Sequence, residues 1–313
     1  MAFNLQVFKT RALTAIVFAV VMLVGLLWNQ WSFFILFSII HFGCWIEYQK
    51  LVALIDPGYK EITPIHKYGV MLAGWCLMLW FTNDSYTIFG MQLHELGWWL
   101  GLIMVFLLPL TELLFTKNIR LKNIAHSVFG LLYISLSWGL MMDLYNFIST
   151  IIENLLNGGQ IILSYRSFDY YPVLIPCVII FSIWINDTMA YIVGSFIGKT
   201  PLSKISPKKT WEGTIGGIIL CVVAIGLLFS NIPTSMVMPG WHFQIASYHW
   251  YVIAAIAAIA GTFGDLLESK LKRMAGVKDS GSLMPGHGGF LDRFDSLLVA
   301  VPFVWLYVQL FLK

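Results

Sequence analysis

The stretch KDSGSLMPGHGGFLDRFD, residues 278–295, holds three carboxylates, one histidine, two cationic side chains and four glycines. Pro285 enforces a turn, and Gly286, His287, Gly288 and Gly289 let a bare backbone approach a ligand closely. Asp292 and Asp295 follow at i, i+3, with Arg293 between them, at the start of an apolar run. A second cluster is GTFGDLLESKLKR, residues 261–273, where Asp265, Ser269 and Lys272 share one helical face at i, i+4, i+7. Glu268 borders that face, Lys270 and Arg273 point elsewhere, and Gly261 and Gly264 permit close helix packing. A third lies in 184–217: Asp187 sits inside an apolar run flanked by Asn186 and Thr188, and Lys208, Lys209 and Glu212 stand at a glycine-rich helix entrance that Thr210 is placed to cap.

Taken singly, each residue has an ordinary structural explanation. Acids at a helix start complement its dipole, a lone histidine is commonly structural, and cytoplasmic lysines often only orient a membrane protein. Together they put hard oxygen ligands, phosphate-sized cations and free backbone amides in one set. Oxygen-only acid clusters suit Mg²⁺ rather than zinc, and transfer at phosphorus needs charge neutralisation and positioning more than a covalent nucleophile. No GxxxxGK(S/T) phosphate loop, GxSxG elbow or HExxH zinc motif is present. The chemistry indicated is that of an enzyme handling a phosphorylated, metal-bound substrate.

The elements that must carry these residues are membrane helices. Of 313 residues, 58% are apolar and only 11% charged, less than half the charged share of an ordinary soluble domain, which is about 25%. Mean hydropathy is +0.78. An all-α polytopic integral membrane protein is expected, because helices satisfy their own backbone in lipid and the runs lack the alternation of a membrane barrel. Nine spans fit, at about 12–28, 31–47, 69–89, 96–115, 126–146, 172–196, 213–232, 251–267 and 290–312, the third being interrupted by Asn83 and Asp84. The first is read as a retained span rather than a cleaved signal. Five segments (1–11, 48–68, 116–125, 197–212, 268–293) hold 17 of the 19 Lys and Arg residues, and they alternate in side. This predicts a cytoplasmic N-terminus, a C-terminus outside, and the charged loops 197–212 and 268–293 on the cytoplasmic face. One membrane domain over 1–313 is expected, with 1–171 less specific and 172–313 the catalytic core. The segment 147–171 is expected as an ordered interfacial loop. All four cysteines lie in apolar runs and read as buried free thiols.

The run SKLKRMAGVKDSGSLMPGHGGFLDRFD, residues 269–295, resembles the signature of phosphatidate cytidylyltransferases, also called CDP-diacylglycerol synthases, with Met284 standing where that family usually has Leu, Ile or Phe. NDTMAY and GKTPLSKISPKKTWEG resemble the family's second conserved block, so the likeness covers roughly 180–296. It implies a membrane transferase that joins CTP and phosphatidate into CDP-diacylglycerol and pyrophosphate. Mg²⁺ is the implied cofactor, with a second metal site open to a monovalent cation. Asp265 and Asp292 are the first metal-ligand candidates, Asp187 and Asp295 the second. Asp265, Asp292, Lys272 and Arg293 form the catalytic set. Lys208, Lys209, Glu212, Ser269, Arg273, Lys278, Asp279, His287, Gly288 and Gly289 are the substrate-binding set. CTP, phosphatidate and membrane lipids are the expected partners, with no nucleic acid and a homodimer among the expected assemblies. The bacterial inner membrane is the expected location.

Besides an inactive paralogue kept as a membrane scaffold, against which the full acid set at 187, 265, 292 and 295 argues, two rivals stand beside this reading. One is nucleotidyl or phosphoryl transfer to a different lipid acceptor. The other is a transporter, which also uses intramembrane acids, though here the charge gathers at one membrane face rather than at the midplane.

Overall fold

The computed structural model describes residues 5–116, 119–157, 173–231, 236–238, 241–243, 245–282 and 288–312. Within them the chain forms α1 (Leu5–Leu27), α2 (Gln30–Ile55), α3 (Pro64–Trp80), α4 (Leu93–Phe115), α5 (Leu121–Gly130), α6 (Leu136–Asn157), α7 (Leu174–Ile197), α8 (Trp211–Ser230), α9 (Tyr248–Met274) and α10 (Leu291–Phe311). A π-helical segment, Leu131–Ser135, joins α5 to α6 without a break. A 3₁₀ turn, Pro57–Glu61, and two short antiparallel hairpins complete the described structure: β1 (Thr87–Ile88) with β2 (Met91–Gln92), and β3 (Met236–Met238) with β4 (Trp241–Phe243).

Local chemistry sets the helix starts. Asn29 and Ser32 form a reciprocal capping box at α2. Thr63 caps α3 with Pro64 at its first position. Thr210 Oγ1 accepts from Gly213 N at 3.2 Å and caps α8, as its place before an apolar run suggested.

Among the described residues, seven helical stretches are long and apolar enough to cross a membrane: Gln30–Ile55, Leu93–Phe115, Leu121–Phe147, Leu174–Ile197, Trp211–Ser230, Tyr248–Met274 and Leu291–Phe311. The chain is an all-α integral membrane protein. The seven are fewer than the nine spans read from hydropathy. The described apolar part of α1, Leu13–Leu27, is shorter, and α3 has only 17 residues. The third expected span, 69–89, is cut at Trp80. Thr82 Oγ1 donates back to Leu79 O at 2.7 Å, and the chain turns into the β1–β2 hairpin. That hairpin reverses through Phe89 and Gly90, at φ 51° and 80°. Residues 147–157 continue α6 instead of forming a loop; the rest of the segment 147–171, and His287, lie outside the described residues.

The chain divides into two compact units: Met1–Val173 with Leu271–Phe294, and Leu174–Lys270 with Asp295–Lys313. The loop 271–294 therefore groups with the N-terminal helices. In the first unit α3 packs on α4 and α6, and α1 on α2. Its core includes the buried Phe33, Phe37, Trp45 and Trp138. Trp45 Nε1 donates to Ser135 Oγ at 2.8 Å, which satisfies both polar atoms inside the helix bundle. In the second unit α7 and α8 form the closest pair, because Gly213 and Gly217 let α8 lie against Ala190 of α7. Gly264 of α9 does the same for α10: a Cβ there would stand 2.5 Å from the Asp295 carbonyl oxygen and 2.9 Å from Ser296 Cα. The close-packing role expected of Gly264 follows from this contact. All four cysteines are buried and free, as expected.

Candidate functional site

In the second unit the loop between α7 and α8 is folded onto itself. Leu202 N donates to Lys209 O at 2.7 Å, Trp211 N donates to Thr200 O at 2.9 Å, and Pro201 bridges to Thr210. Glu212, in the first turn of α8, receives Lys199 N and Thr200 N at 3.2 Å and Thr200 Oγ1 at 2.8 Å. Its carboxylate thus holds the loop's own amides. With the loop fixed, Lys209 Nζ donates to Asp265 Oδ2 of α9 in an ion pair whose two side chains are partly exposed. Ser269 lies one turn further along α9, half-buried, and Lys208 is exposed beside Lys209. Asp187 is exposed on α7 while its neighbour Asn186 is buried. Asp295 is buried in α10, its Oδ1 accepting from Ser296 N at 2.7 Å.

The first unit holds the rest of the signature loop. α9 ends in a glycine cap: Gly276 has φ 69°, Gly276 N donates to Arg273 O at 3.2 Å, and Val277 N donates to Lys272 O at 3.0 Å. Glycine is required there because only it adopts this left-handed conformation without strain. The cap turns the chain so that Ser280 meets Asp292 at the start of α10. Asp292 Oδ2 receives Ser280 N at 2.8 Å, Ser280 Oγ at 2.9 Å and Gly289 N at 2.8 Å. Its Oδ1 receives Lys272 Nζ at 2.6 Å, with both side chains largely buried. Gly288, at φ 82°, faces Asp292 so closely that a Cβ would collide with its carboxylate. Arg273, Lys278, Asp279 and Arg293 are exposed around this core.

Two side chains outside the candidate set take part. Ser280 bridges to Asp292, and the buried Glu47 of α2 accepts from Ser280 Oγ at 2.8 Å and from Leu291 N at 2.9 Å. Gly281 and Gly289 each leave room for the Glu47 carboxylate. A signal for Glu47 was present in the sequence: it is the one acid in the mostly apolar stretch Gln30–Ile55, and an acid within a membrane-spanning stretch is costly and normally faces the protein interior.

The geometry therefore brings together Lys209 with Asp265, and Lys272 with Asp292, Ser280, Gly288 and Gly289. Each is a carboxylate matched to an ammonium, and the second is also lined by backbone N–H groups. Among the described residues no three His, Cys, Asp or Glu side chains gather as a ready-made metal cage. That donor set fits Mg²⁺, which is commonly held by one or two carboxylates while substrate phosphates and water complete its shell. It does not fit a structural zinc site.

Comparison with known proteins assigns the family. A family model described as the cytidylyltransferase family matches residues 9–311. The chain is 30% identical over 311 residues to phosphatidate cytidylyltransferase of Haemophilus influenzae, covering 94% of this chain and 96% of that protein. It is 40% identical over 152 residues to the Bacillus subtilis enzyme of the same name, covering 47% of this chain and 51% of that one. It is 44% identical over 128 residues to the chloroplastic phosphatidate cytidylyltransferase 4 of Arabidopsis thaliana, covering 41% of this chain and 30% of the plant protein. The chain thus spans about half or less of the Bacillus and plant relatives and nearly all of the Haemophilus one. With a matching model over nearly its whole length, and acid–lysine pairs suited to phosphate chemistry, the chain belongs to the cytidylyltransferase family.

Proposed function

We propose that this protein transfers the cytidylyl group of CTP to phosphatidate, giving CDP-diacylglycerol and pyrophosphate, at the cytoplasmic surface of a bacterial inner membrane. The observation that carries the reading is the pair of carboxylate–lysine contacts, Asp265 with Lys209 and Asp292 with Lys272, in a chain whose full-length relative bears the name phosphatidate cytidylyltransferase. The bacterial relatives and the alternation of basic segments support the location and the sidedness.

In this mechanism a phosphatidate phosphate oxygen attacks the α-phosphorus of CTP, a new P–O bond forms, and the bond to the β-phosphate oxygen breaks as pyrophosphate leaves. The attacking oxygen is already anionic, so no proton needs to be removed from it. Asp265 and Asp292 are each first candidates to hold Mg²⁺, which would supply positive charge against that on the attacking and leaving oxygens. Asp187 and Asp295 are the second ligand candidates, with a monovalent cation as the ion of a second site. Lys209 and Lys272 neutralise their carboxylates in the absence of substrate and offer their ammonium groups to phosphate oxygens when CTP binds. Lys208, Arg273 and Arg293 supply further cations for the triphosphate and the lipid phosphate. Gly289 N–H keeps Asp292 oriented, while Gly288 lets the chain pass close to it. Glu212 acts at one remove, holding the loop that presents Lys208 and Lys209.

The test uses purified protein in mixed micelles with phosphatidate, Mg²⁺ and labelled CTP. Label is expected in the lipid phase when phosphatidate is present and nowhere else. Transfer that requires a different lipid phosphate would assign another acceptor, and no transfer by folded protein to any lipid phosphate would overturn the proposal.

A further inference from the structure

Among the described residues, Glu47 is one of several buried carboxylates, with Glu112 and Glu268, that the acid–lysine pairs do not use. Glu47 lies in α2, far in sequence from every motif that carries the chemistry, and it is 5% exposed. Its Oε2 takes two hydrogen bonds from the signature loop, Ser280 Oγ at 2.8 Å and Leu291 N at 2.9 Å. Ser280 and Leu291 flank Asp292 from its two sides: Ser280 donates to Asp292 through both N and Oγ, and Leu291 is its chain neighbour at the first position of α10. The approach is tight enough that a Cβ on Gly281 or Gly289 would run into the Glu47 carboxylate. Nearby packing closes the arrangement, since Gly43 of the same helix leaves room for the Phe290 ring.

Burying a carboxylate is costly unless its hydrogen bonds are met, so a carboxylate kept at this point is expected to repay that cost by fixing geometry. An aliphatic side chain of similar size would fill the space but leave Leu291 N–H, an orphan donor of the first turn of α10, without this acceptor. The Ser280 hydroxyl has one hydrogen and two carboxylates within 2.9 Å. Its position is therefore fixed jointly by Glu47 and Asp292.

We infer that Glu47 is a positioning residue: through Ser280 and Leu291 it clamps the signature loop and the start of α10 so that Asp292 and Lys272 keep their catalytic orientation. This rests on the proposed role of Asp292. Displacing a reacting group by about 1 Å can cost on the order of 10²-fold in rate, and loss of a supporting hydrogen bond around a metal ligand typically costs about 10–100-fold.

The test compares Glu47→Gln, Glu47→Ala, Ser280→Ala and the Glu47→Ala/Ser280→Ala double variant by two readouts. One is cytidylyl transfer, resolved into kcat and KM for CTP. The other is the rate of tryptic cleavage after the exposed Lys278 in detergent-solubilised protein. Gln keeps one oxygen acceptor at the right distance, so Glu47→Gln is expected to stay within a few-fold of the parent in both. Glu47→Ala and Ser280→Ala are each expected to lose on the order of 10–100-fold in kcat, with faster cleavage at Lys278 and a smaller change in KM. The double variant is expected to be no worse than the poorer single one. Parent-like kcat and cleavage in Ser280→Ala or Glu47→Ala would overturn the inference. So would additive losses in the double variant. If Glu47→Ala does not fold, Ser280→Ala and Glu47→Gln decide alone. Should the parent protein transfer no label, the proposed function fails, while the cleavage rates still decide whether Glu47 clamps the loop.

Discussion

Lys272, in the last turn of α9, and Asp292, at the start of α10, meet with Nζ 2.6 Å from Oδ1 across 20 residues of sequence. The pair links the cationic strip of one helix to the acid of the next. Asp292 Oδ2 is held by Ser280 and Gly289, so the carboxylate has one oxygen committed to the loop and one facing the ammonium. Replacing Asp292 by Asn is expected to lower kcat on the order of 10²–10³-fold, the scale for removing a preorganised electrostatic group. Lys272→Met should lose a comparable amount. The double variant should lose less than the sum, measurable as a coupling in the transfer assay.

Lys209 is the cationic partner of Asp265, on a loop whose backbone is tied down by its own hydrogen bonds. A charge-assisted hydrogen bond is worth roughly 1.5–3 kcal/mol. Lys209→Met is therefore expected to raise KM for CTP by about 10–100-fold, the same figure converted at 1.4 kcal/mol per decade. Its thermal stability should stay near that of the parent. A KM that does not move would remove Lys209 from the nucleotide site.

Glu212 serves the loop rather than the substrate in this geometry. Glu212→Ala, or Thr200→Ala to a smaller extent, should free the segment around Lys199 and Lys204. The measurement is the tryptic cleavage rate there, which is expected to rise in both variants. Glu212→Gln, which keeps one acceptor for the Lys199 and Thr200 N–H groups, should stand between parent and alanine variant.

Gly264 sets how closely α9 and α10 approach. Because a Cβ would meet the Asp295 backbone, Gly264→Ala is expected to destabilise the protein by about 1–3 kcal/mol, the usual range for overpacking. A lowered thermal midpoint in detergent is the readout. The side chain of Asp265 is untouched, so residual activity below the midpoint should exceed that of Asp265→Asn.

The membrane class and the helical fold are legible in the sequence because hydropathy and charge act locally. The cap at Thr210 and the close approach at Gly264 follow from single residues whose physics does not depend on distant partners. What was not legible depends on long-range contact. Glu47 bonds to residues more than 230 positions away, at Ser280 and Leu291. Nothing in the local pattern of α2 says which loop its carboxylate will meet. The overrun at 69–89 has a different cause. Apolar residues such as Phe81, Ile88 and Phe89 kept the hydropathy of that stretch high, while Asn83 and Asp84 marked the turn that ends α3. Similarly, Glu212 reads as a substrate-binding residue by its place at a helix entrance, and only the loop's backbone reveals that its oxygens also accept from Lys199 and Thr200.

Divalent cation removal gives a prediction independent of any substitution. Because the candidate ligands are all oxygens, EDTA should abolish transfer, and Mg²⁺ should restore it where Zn²⁺ does not. Recovery by Zn²⁺ alone would argue for a different donor set.

The most direct measurement follows the two ends of the triphosphate separately. Purified protein is given phosphatidate and Mg²⁺ with CTP labelled at the α-phosphorus in one reaction and at the γ-phosphorus in the other, with Asp265→Asn alongside. The α-label is expected to enter the lipid and the γ-label to leave as water-soluble pyrophosphate, and the Asp265→Asn protein is expected to do neither. Label from the γ-position in the lipid would instead mean phosphoryl transfer, and would contradict the cytidylyl mechanism.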